Sequence, residues 1–309
     1  MSKHKILIID PIHEDALCEL EKDFEVEYLP ASTRQDILDK VSNVAIIIVR
    51  SGHKIDEELV NKAKKLRLVA RAGTGIDNID TDTLDKRKIC FFSLPKVNST
   101  AVAELAVAFI FTLSRNIPTI SSRLKNNFWE KEKCYGAQVL GKTLGIMGYG
   151  SIGKKIAQLA NGIGMKIIAS VGMITQEKID NATSQNITLV DNNEILQRSD
   201  YICVCVPLCR ETTNMITMTE LEMMKPNSYL INVSRGGVVN EADLATALTK
   251  RIIKGAATDV YEKEKEYSPL FNLDNIICTP HIGAMTVETQ EEIGKLLYNG
   301  INDWKKSHG

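Results

Sequence analysis

The run Thr143-Leu-Gly-Ile-Met-Gly148-Tyr-Gly150-Ser151-Ile152-Gly153 decides the fold. Its opening part, Thr143–Met147, is a short apolar stretch with the length and character of a buried strand. Three glycines at G-x-G-x-x-G spacing follow, and Lys154–Ala160 then reads as helix. Strand, tight turn and helix in that order form a phosphate-binding fingerprint, in which each glycine has its own task. Gly148 permits the turn, Gly150 lets backbone approach a pyrophosphate, and Gly153 lets the helix pack closely on the strand. The helix N-terminus adds free N–H groups and a positive dipole end. A glycine turn by itself is common; its place between strand and helix points to a bound dinucleotide.

Downstream, further strand candidates recur at Lys166–Val171, Tyr201–Val206, Tyr229–Asn232, Gly255–Asp259 and Ile276–Cys278, with helical stretches such as Glu241–Lys250 between them. Six strands with the fingerprint on the first predict a Rossmann-type, doubly wound parallel sheet. Upstream, Lys5–Asp10, Val44–Val49, Leu68–Ala72 and Ile89–Phe92 read as buried strands. They alternate with helical Glu14–Glu21, Arg34–Val41, Glu57–Lys64 and Thr81–Arg87. That alternation predicts a second parallel α/β domain, flavodoxin-like and without the fingerprint. The helical pattern Val287–Trp304 returns to it, so the expected division is 1–97 with 284–309 for the substrate domain and 98–283 for the nucleotide domain. Between them, Asn98–Arg115 is apolar almost all round, as a helix buried between domains or subunits would be. Residues 118–140 read as an irregular polar stretch carrying Trp129, Lys131 and Lys133.

Composition narrows the function. The 309 residues are 44% hydrophobic and 25% charged, which excludes a disordered chain. A formal net charge of −1 gives no bulk attraction to nucleic acid or an anionic membrane. No apolar run approaches bilayer length, and no leader pattern precedes Lys5. Seven cysteines, an odd number, suit reduced thiols and a cytoplasmic location. Cys203 and Cys205 sit in a strand-like run without partners at zinc spacing, so a buried strand is expected there and no metal site.

One companion of the fingerprint is missing. About twenty residues beyond it, this fold places an acid on the adenosine ribose. Here the strand ends Ser170-Val171-Gly172, and Glu177 comes several residues too late. No Arg stands there to receive a 2′-phosphate either. Ser170 or a backbone group is left to make the ribose contact. NAD is the expected cofactor on the fold's usual preference, with NADP not excluded.

Four stretches follow strand-like runs, where ligands bind in such folds. They are Asn232-Val233-Ser234-Arg235-Gly-Gly, Asp259-Val-Tyr-Glu-Lys-Glu264, Thr279-Pro-His281-Ile-Gly283, and Arg71-Ala72-Gly73-Thr74-Gly75. With Gly148–Gly153, and in this order and spacing, they resemble the D-isomer-specific 2-hydroxyacid dehydrogenase family over essentially the whole chain. The resemblance implies a catalytic set. His281 would be the general acid–base, Glu264 would orient its ring, and Arg235 would grip the substrate carboxylate and polarise the carbonyl. Glu262 is a nearby acid, but its family position varies, so the resemblance assigns the role to Glu264. The cofactor would meet Thr74, Gly148, Gly150, Ser151, Ile152, Gly153, Val206, Pro207, Val233, Ser234, Arg235, Asp259, His281, Gly283 and Ala284. Asp259 would contact the nicotinamide end.

The substrate is expected to be a small phosphorylated 2-hydroxy acid. Arg50, Arg71, Ala72 and Gly73 would hold it, the Arg71–Gly75 turn offering N–H groups to a carboxylate. The resemblance implies that Lys131 would reach it from a neighbouring subunit. A homodimer is implied, with the Asn98–Arg115 helix as much of its contact. Longer members of the family append a regulatory domain, for which this chain has no room, so feedback through such a domain is not expected. Two rivals stay open: a reductase of phosphate-free 2-oxo acids, and a corepressor-like NADH sensor that keeps the fold but works by binding partners.

Overall fold

A computed structural model describes residues 3–308, and in it the apolar runs become two all-parallel sheets. The described residues up to Asn98, together with those from Met285, form one compact unit; Ser99–Ala284 form the other. The first unit contains β1 (Lys5–Ile8), β2 (Glu25–Tyr28), β3 (Ile46–Val49), β4 (Leu68–Arg71) and β5 (Cys90–Ser93) in the order β2-β1-β3-β4-β5. That is the flavodoxin-like order of doubly wound sheets. β3 and β4 are buried at every position, as apolar runs in a covered parallel sheet should be, with charged Arg71 ending β4. β2 was not expected. It is an edge strand, Glu-Val-Glu-Tyr, with no fully buried residue, and its charges hide the strand signal.

The helices of this unit start where short polar side chains can cap them. Thr33 and Asp36 form a reciprocal capping box for Arg34–Lys40; Asp56 and Asp80 cap Glu57–Lys62 and Thr81–Lys86. The helix Val287–His308 packs on Glu14–Asp23, burying Ile293, Leu297, Ile301 and Trp304 in the first unit's core.

The second unit holds β6 (Thr143–Met147), β7 (Lys166–Ser170), β8 (Ile187–Leu189), β9 (Tyr201–Val204), β10 (Tyr229–Asn232), β11 (Gly255–Thr258) and β12 (Ile276–Cys278). Their order is β12-β11-β10-β9-β6-β7-β8, the Rossmann arrangement with one further strand. Seven strands stand where six were expected, because β8 is only Ile-Thr-Leu and too short to show a period. Several strands end one or two residues early: Val171, Val206 and Asp259 lie just beyond β7, β9 and β11. Cys203 is fully buried, and Cys205, just past the strand, packs against the same core.

The helix Ser99–Arg115 buries nine of its 17 residues within its own unit, against the helix Ser151–Gly162 and the sheet. Val102, Ala103, Ala106, Phe109, Ile110 and Leu113 join that unit's core, while Phe111 stays exposed on the outer face. Truncating Phe109 to Ala there would cost about 3–5 kcal/mol. The stretch 118–140 is not irregular throughout. Ile117–Lys125 is a helix with Pro118 in its first turn, where no amide is needed, after Asn116 breaks the chain direction at φ 49°. A short 3₁₀ turn follows at Lys131–Lys133. Among the described residues no single helix is long and apolar enough to cross a membrane.

Candidate active site

In the second unit the parallel strands put one row of loops along the carboxyl edge of the sheet. In spatial order these follow β12 (His281, Gly283, Ala284), β11 (Asp259), β10 (Val233, Ser234, Arg235), β9 (Val206, Pro207), β6 (Gly148 to Gly153) and β7 (Val171). At about 4.8 Å per strand, β7 to β11 spans on the order of 19 Å, the scale of an extended dinucleotide. The strand order reverses between β6 and β9, the point where this fold opens its crevice.

The fingerprint turn is built as its glycines require. Gly148 has φ 98°, a left-handed value that other residues resist. A Cβ at Gly153 would lie 2.3 Å from the Gly148 carbonyl oxygen, so no larger residue fits there. Gly150 faces open space and caps the helix Ser151–Gly162, whose first turn supplies Ser151, Ile152 and Gly153. A cavity of about 590 Å³ opens beside them, lined in part by Gly148, Gly150, Val171, Val206 and Pro207. Glycine cradle, helix N-terminus and cavity together fit a dinucleotide. Glu177 and Lys178, in the first turn of the helix Gln176–Thr183, also line this cavity.

The chemistry-bearing side chains come together one strand at a time. Glu264 Oε1 lies 2.5 Å from His281 Nδ1. With Nδ1 engaged, Nε2 is the ring nitrogen available to a substrate. The bond to His281 is the main cause holding the Glu264 carboxyl below its ordinary pKa; burial opposes it, and the charges of His281 and Arg235 add to the lowering. His281 has φ 54°, an unusual backbone for a non-glycine residue. Arg235 is half-buried and donates from Nη1 to the Ser234 carbonyl at 2.8 Å.

Asp259 is buried and turns towards the His281 loop. Its Oδ1 accepts from Thr279 Oγ1 at 2.6 Å and from the Ile282 amide at 2.8 Å; its Oδ2 accepts from the Gly283 amide at 2.7 Å. This carboxylate holds the loop on both sides of His281. Glu262 accepts from the Glu241 amide at 3.2 Å and does not meet His281.

Three residues that serve this site were not singled out from the sequence. Asn232 is buried; its Oδ1 accepts from Ser234 N and Oγ, and its Nδ2 donates to the Arg235 carbonyl, fixing the turn that carries Arg235. Gly236 lets that turn touch the next one, since a Cβ there would lie 1.8 Å from the Tyr261 carbonyl oxygen. Tyr261 donates its hydroxyl to the Thr279 carbonyl at 2.9 Å. Asn232 and Gly236 lie inside the quoted Arg235 stretch, so their signal was present but gave no geometry.

In the first unit, Arg50 follows β3, Arg71 ends β4, and Ala72-Gly73-Thr74 follow it. Asp10 Oδ2 accepts the Arg50 amide at 2.6 Å, and Asn78 Nδ2 donates to the carbonyls of Arg50 and His53. The Arg50 guanidinium donates to the Pro11 carbonyl at 3.1 Å. Burial lowers its pKa, with Asp10 opposing. Arg71 is buried and its guanidinium folds over its own turn: a Cβ at Gly73 would lie 1.8 Å from Nη1. The expected anion nest is narrowed. The Ala72 amide is bonded to the Val49 carbonyl and the Gly73 amide to the Arg71 carbonyl, leaving those of Thr74 and Gly75 for a ligand. The Thr74 hydroxyl is bonded to Leu94 O and Asn98 Oδ1. Lys131 lies exposed on the 3₁₀ turn of the second unit.

Comparison with known proteins agrees with this geometry. Residues 107–283 match the family model for the D-isomer specific 2-hydroxyacid dehydrogenase, NAD binding domain. The chain is 38% identical over 299 residues to D-3-phosphoglycerate dehydrogenase of Methanocaldococcus jannaschii, covering 96% of this chain and 56% of that protein. It is 37% identical over 310 residues to glyoxylate reductase of Thermococcus litoralis, covering 97% and 93%. The crystal structure of D-lactate dehydrogenase from Aquifex aeolicus, complexed with NAD and lactic acid, matches with a TM-score of 0.88 at 27% identity, covering 98% and 96%. The chain spans about half the length of the phosphoglycerate dehydrogenases it matches. On the domain match and the near full-length likeness to the reductase, the chain belongs to the D-isomer-specific 2-hydroxyacid dehydrogenase family.

Proposed function

We propose that the protein is an NAD-dependent dehydrogenase that interconverts 3-phospho-D-glycerate and 3-phosphohydroxypyruvate, the first step of serine synthesis. The observation that carries the reading is the Glu264–His281 pair at 2.5 Å, in the same row of loops as Arg235. Bound nicotinamide supplies a hydride acceptor in one direction and a donor in the other. His281 takes the hydroxyl proton through Nε2 in oxidation and returns it in reduction. Glu264, held ionised by the same bond, fixes the ring and stabilises the charged imidazole. Arg235 binds the carboxylate with its planar fork and polarises the carbonyl oxygen. Gly148, Gly150, Ser151, Ile152 and Gly153 hold the pyrophosphate; Thr74, Val206, Pro207, Val233, Ser234, Asp259, Gly283 and Ala284 complete the cofactor's surroundings.

For the acid itself we assign Arg50, Arg71, the Ala72–Gly73 turn, which presents the Thr74 and Gly75 amides, and, from a neighbouring subunit, Lys131. Two or three cations suit a phosphorylated three-carbon acid better than one that carries only a carboxylate. Homodimerisation is supported by apolar side chains left exposed along one segment: Ile117, Leu124, Phe128, Trp129, Tyr135 and Leu140. Seven unpaired thiols support a reducing, cytoplasmic setting.

A second reading, a reductase of glyoxylate or hydroxypyruvate, is favoured by the near full-length likeness to the Thermococcus litoralis enzyme. Initial rates with phosphoglycerate, phosphohydroxypyruvate, hydroxypyruvate and glyoxylate, each with both nicotinamide cofactors, separate the two. Our assignment requires the highest kcat/KM on the phosphorylated pair and a large loss in Arg50→Ala. Equal rates on glyoxylate and indifference to Arg50→Ala select the reductase.

A further inference from the structure

We infer that Glu241 is a positioning residue for Glu264, acting on the dehydrogenase chemistry without touching substrate or cofactor. The inference rests on the functional reading above, and on a clamp visible in the fold. Glu264 sits midway along the loop Tyr261–Ser268, and its own neighbours Glu262, Lys263, Lys265 and Glu266 are exposed. Such a loop needs fixed ends if its central carboxylate is to stay 2.5 Å from an imidazole. Glu241 supplies both. Its Oε1 accepts the Glu262 amide at 2.5 Å, two residues before Glu264, and its Oε2 accepts the hydroxyl of buried Ser268 at 2.6 Å, four residues after it.

The carboxylate is not spent on its own helix. Asn240 caps Glu241–Thr249, its side chain accepting from the Asp243 amide at 3.0 Å. The Glu241 side chain instead reaches across 21 and 27 residues of sequence to the loop. The Glu262 side chain completes the exchange by accepting the Glu241 amide at 3.2 Å. The Gly236 contact with Tyr261 then brings the Arg235 turn against the start of the same loop. One acidic side chain on a rigid helix thus sets where Glu264 stands, and through it the ring of His281.

The test is a double-mutant cycle on the whole protein, with hydroxypyruvate and NADH as probes. Glu241→Ala should lower kcat about 10- to 100-fold, the effect of a misplacement near 1 Å, while NADH affinity by fluorescence titration stays within about twofold. Glu241→Gln keeps an acceptor for the Glu262 amide and an amide that can meet Ser268 Oγ, and should recover most of the rate. In a Glu264→Gln background, Glu241→Ala should cost no more than about twofold further, because the two act as one unit. Hydrogen–deuterium exchange should rise across 261–268 in Glu241→Ala and not in Glu241→Gln. A full, additive loss in the Glu264→Gln background, or unchanged exchange of the loop in Glu241→Ala, overturns the inference. If the wild type reduces none of the 2-oxo acids, the functional reading fails by itself, and the exchange experiment alone then decides the clamp.

Discussion

Asp259 holds Gly283: its Oδ2 lies 2.7 Å from the Gly283 amide nitrogen, while Oδ1 takes the amide of Ile282 next to it. The residue before that pair, His281, keeps a left-handed backbone. The buried carboxylate therefore fixes a strained loop, in addition to any contact it makes with a ligand. Asp259→Ala leaves two amides and the Thr279 hydroxyl without their acceptor. With charge-assisted bonds contributing about 1.5–3 kcal/mol each, it should lower unfolding stability by about 3 kcal/mol or more and abolish turnover. Asp259→Asn, keeping one acceptor oxygen, should fall between. Urea denaturation of the three proteins measures this, and a loss below about 0.5 kcal/mol in the alanine variant contradicts it.

The Glu264 carboxyl titrates below its ordinary value of 4.5 because His281 holds it. A carboxyl depressed in the folded state adds stability that is complete above the unfolded value and is lost as pH falls through the lower, folded one. The pair is partly exposed, so the increment should stay under about 1 kcal/mol. The stability difference between wild type and Glu264→Gln should therefore be full above the ordinary carboxyl value of 4.5 and shrink as the pH falls below it. A difference that does not change with pH would show that the bond contributes nothing through ionisation.

At the adenosine end, Val171 stands where the fold usually carries an acid, and it lines the cavity beside the glycine turn. The neutral strand end neither repels a 2′-phosphate nor rewards a ribose diol, so the wild type should prefer NADH over NADPH by less than about 10-fold in dissociation constant. Val171→Asp should widen that preference by a further factor of about 10 to 100, through weaker NADPH binding. Fluorescence titration with each cofactor decides; a wild type that already rejects NADPH as strongly as the aspartate variant contradicts the account.

Trp129 and Tyr135 are 78% and 90% exposed, in a segment with four other exposed apolar side chains. If this surface is covered by a second copy, light scattering will give a dimer for the wild type and a monomer for the double variant Leu124→Glu, Trp129→Glu. A wild type that is monomeric at high micromolar concentration removes the dimer from the account, and with it any role for Lys131 across subunits.

Much of this was legible in the sequence because buried parallel strands write themselves as apolar runs. Ile46–Val49 and Tyr229–Asn232 are buried at every residue and were readable without help. Glu25–Tyr28 and Ile187–Leu189 were not, one being a charged edge strand and the other only three residues long. The helix Ile117–Lys125 is hidden in a stretch that reads as irregular, because Pro118 in its first turn is tolerated there but elsewhere marks a helix end. The acids and bases of the site could be placed after their strands, but their mutual hold could not. Nothing in the spacing tells that Asp259 grips the loop of His281, that Asn232 fixes the Arg235 turn, or that Glu177 lines the cavity at β7. Those depend on side-chain directions that only the folded chain defines.

The central claim is that His281 moves the proton in an NADH-dependent reduction of a 2-oxo acid. Its most direct test is the rate of NADH consumption with phosphohydroxypyruvate, hydroxypyruvate and glyoxylate, for wild type and His281→Ala, with NADH affinity measured alongside. The account predicts turnover by the wild type, fastest per KM on phosphohydroxypyruvate, a fall of about 10²- to 10⁴-fold in His281→Ala, and NADH binding that survives the change. A wild type that binds NADH but turns over none of these acids, or a His281→Ala variant as active as the wild type, would contradict it.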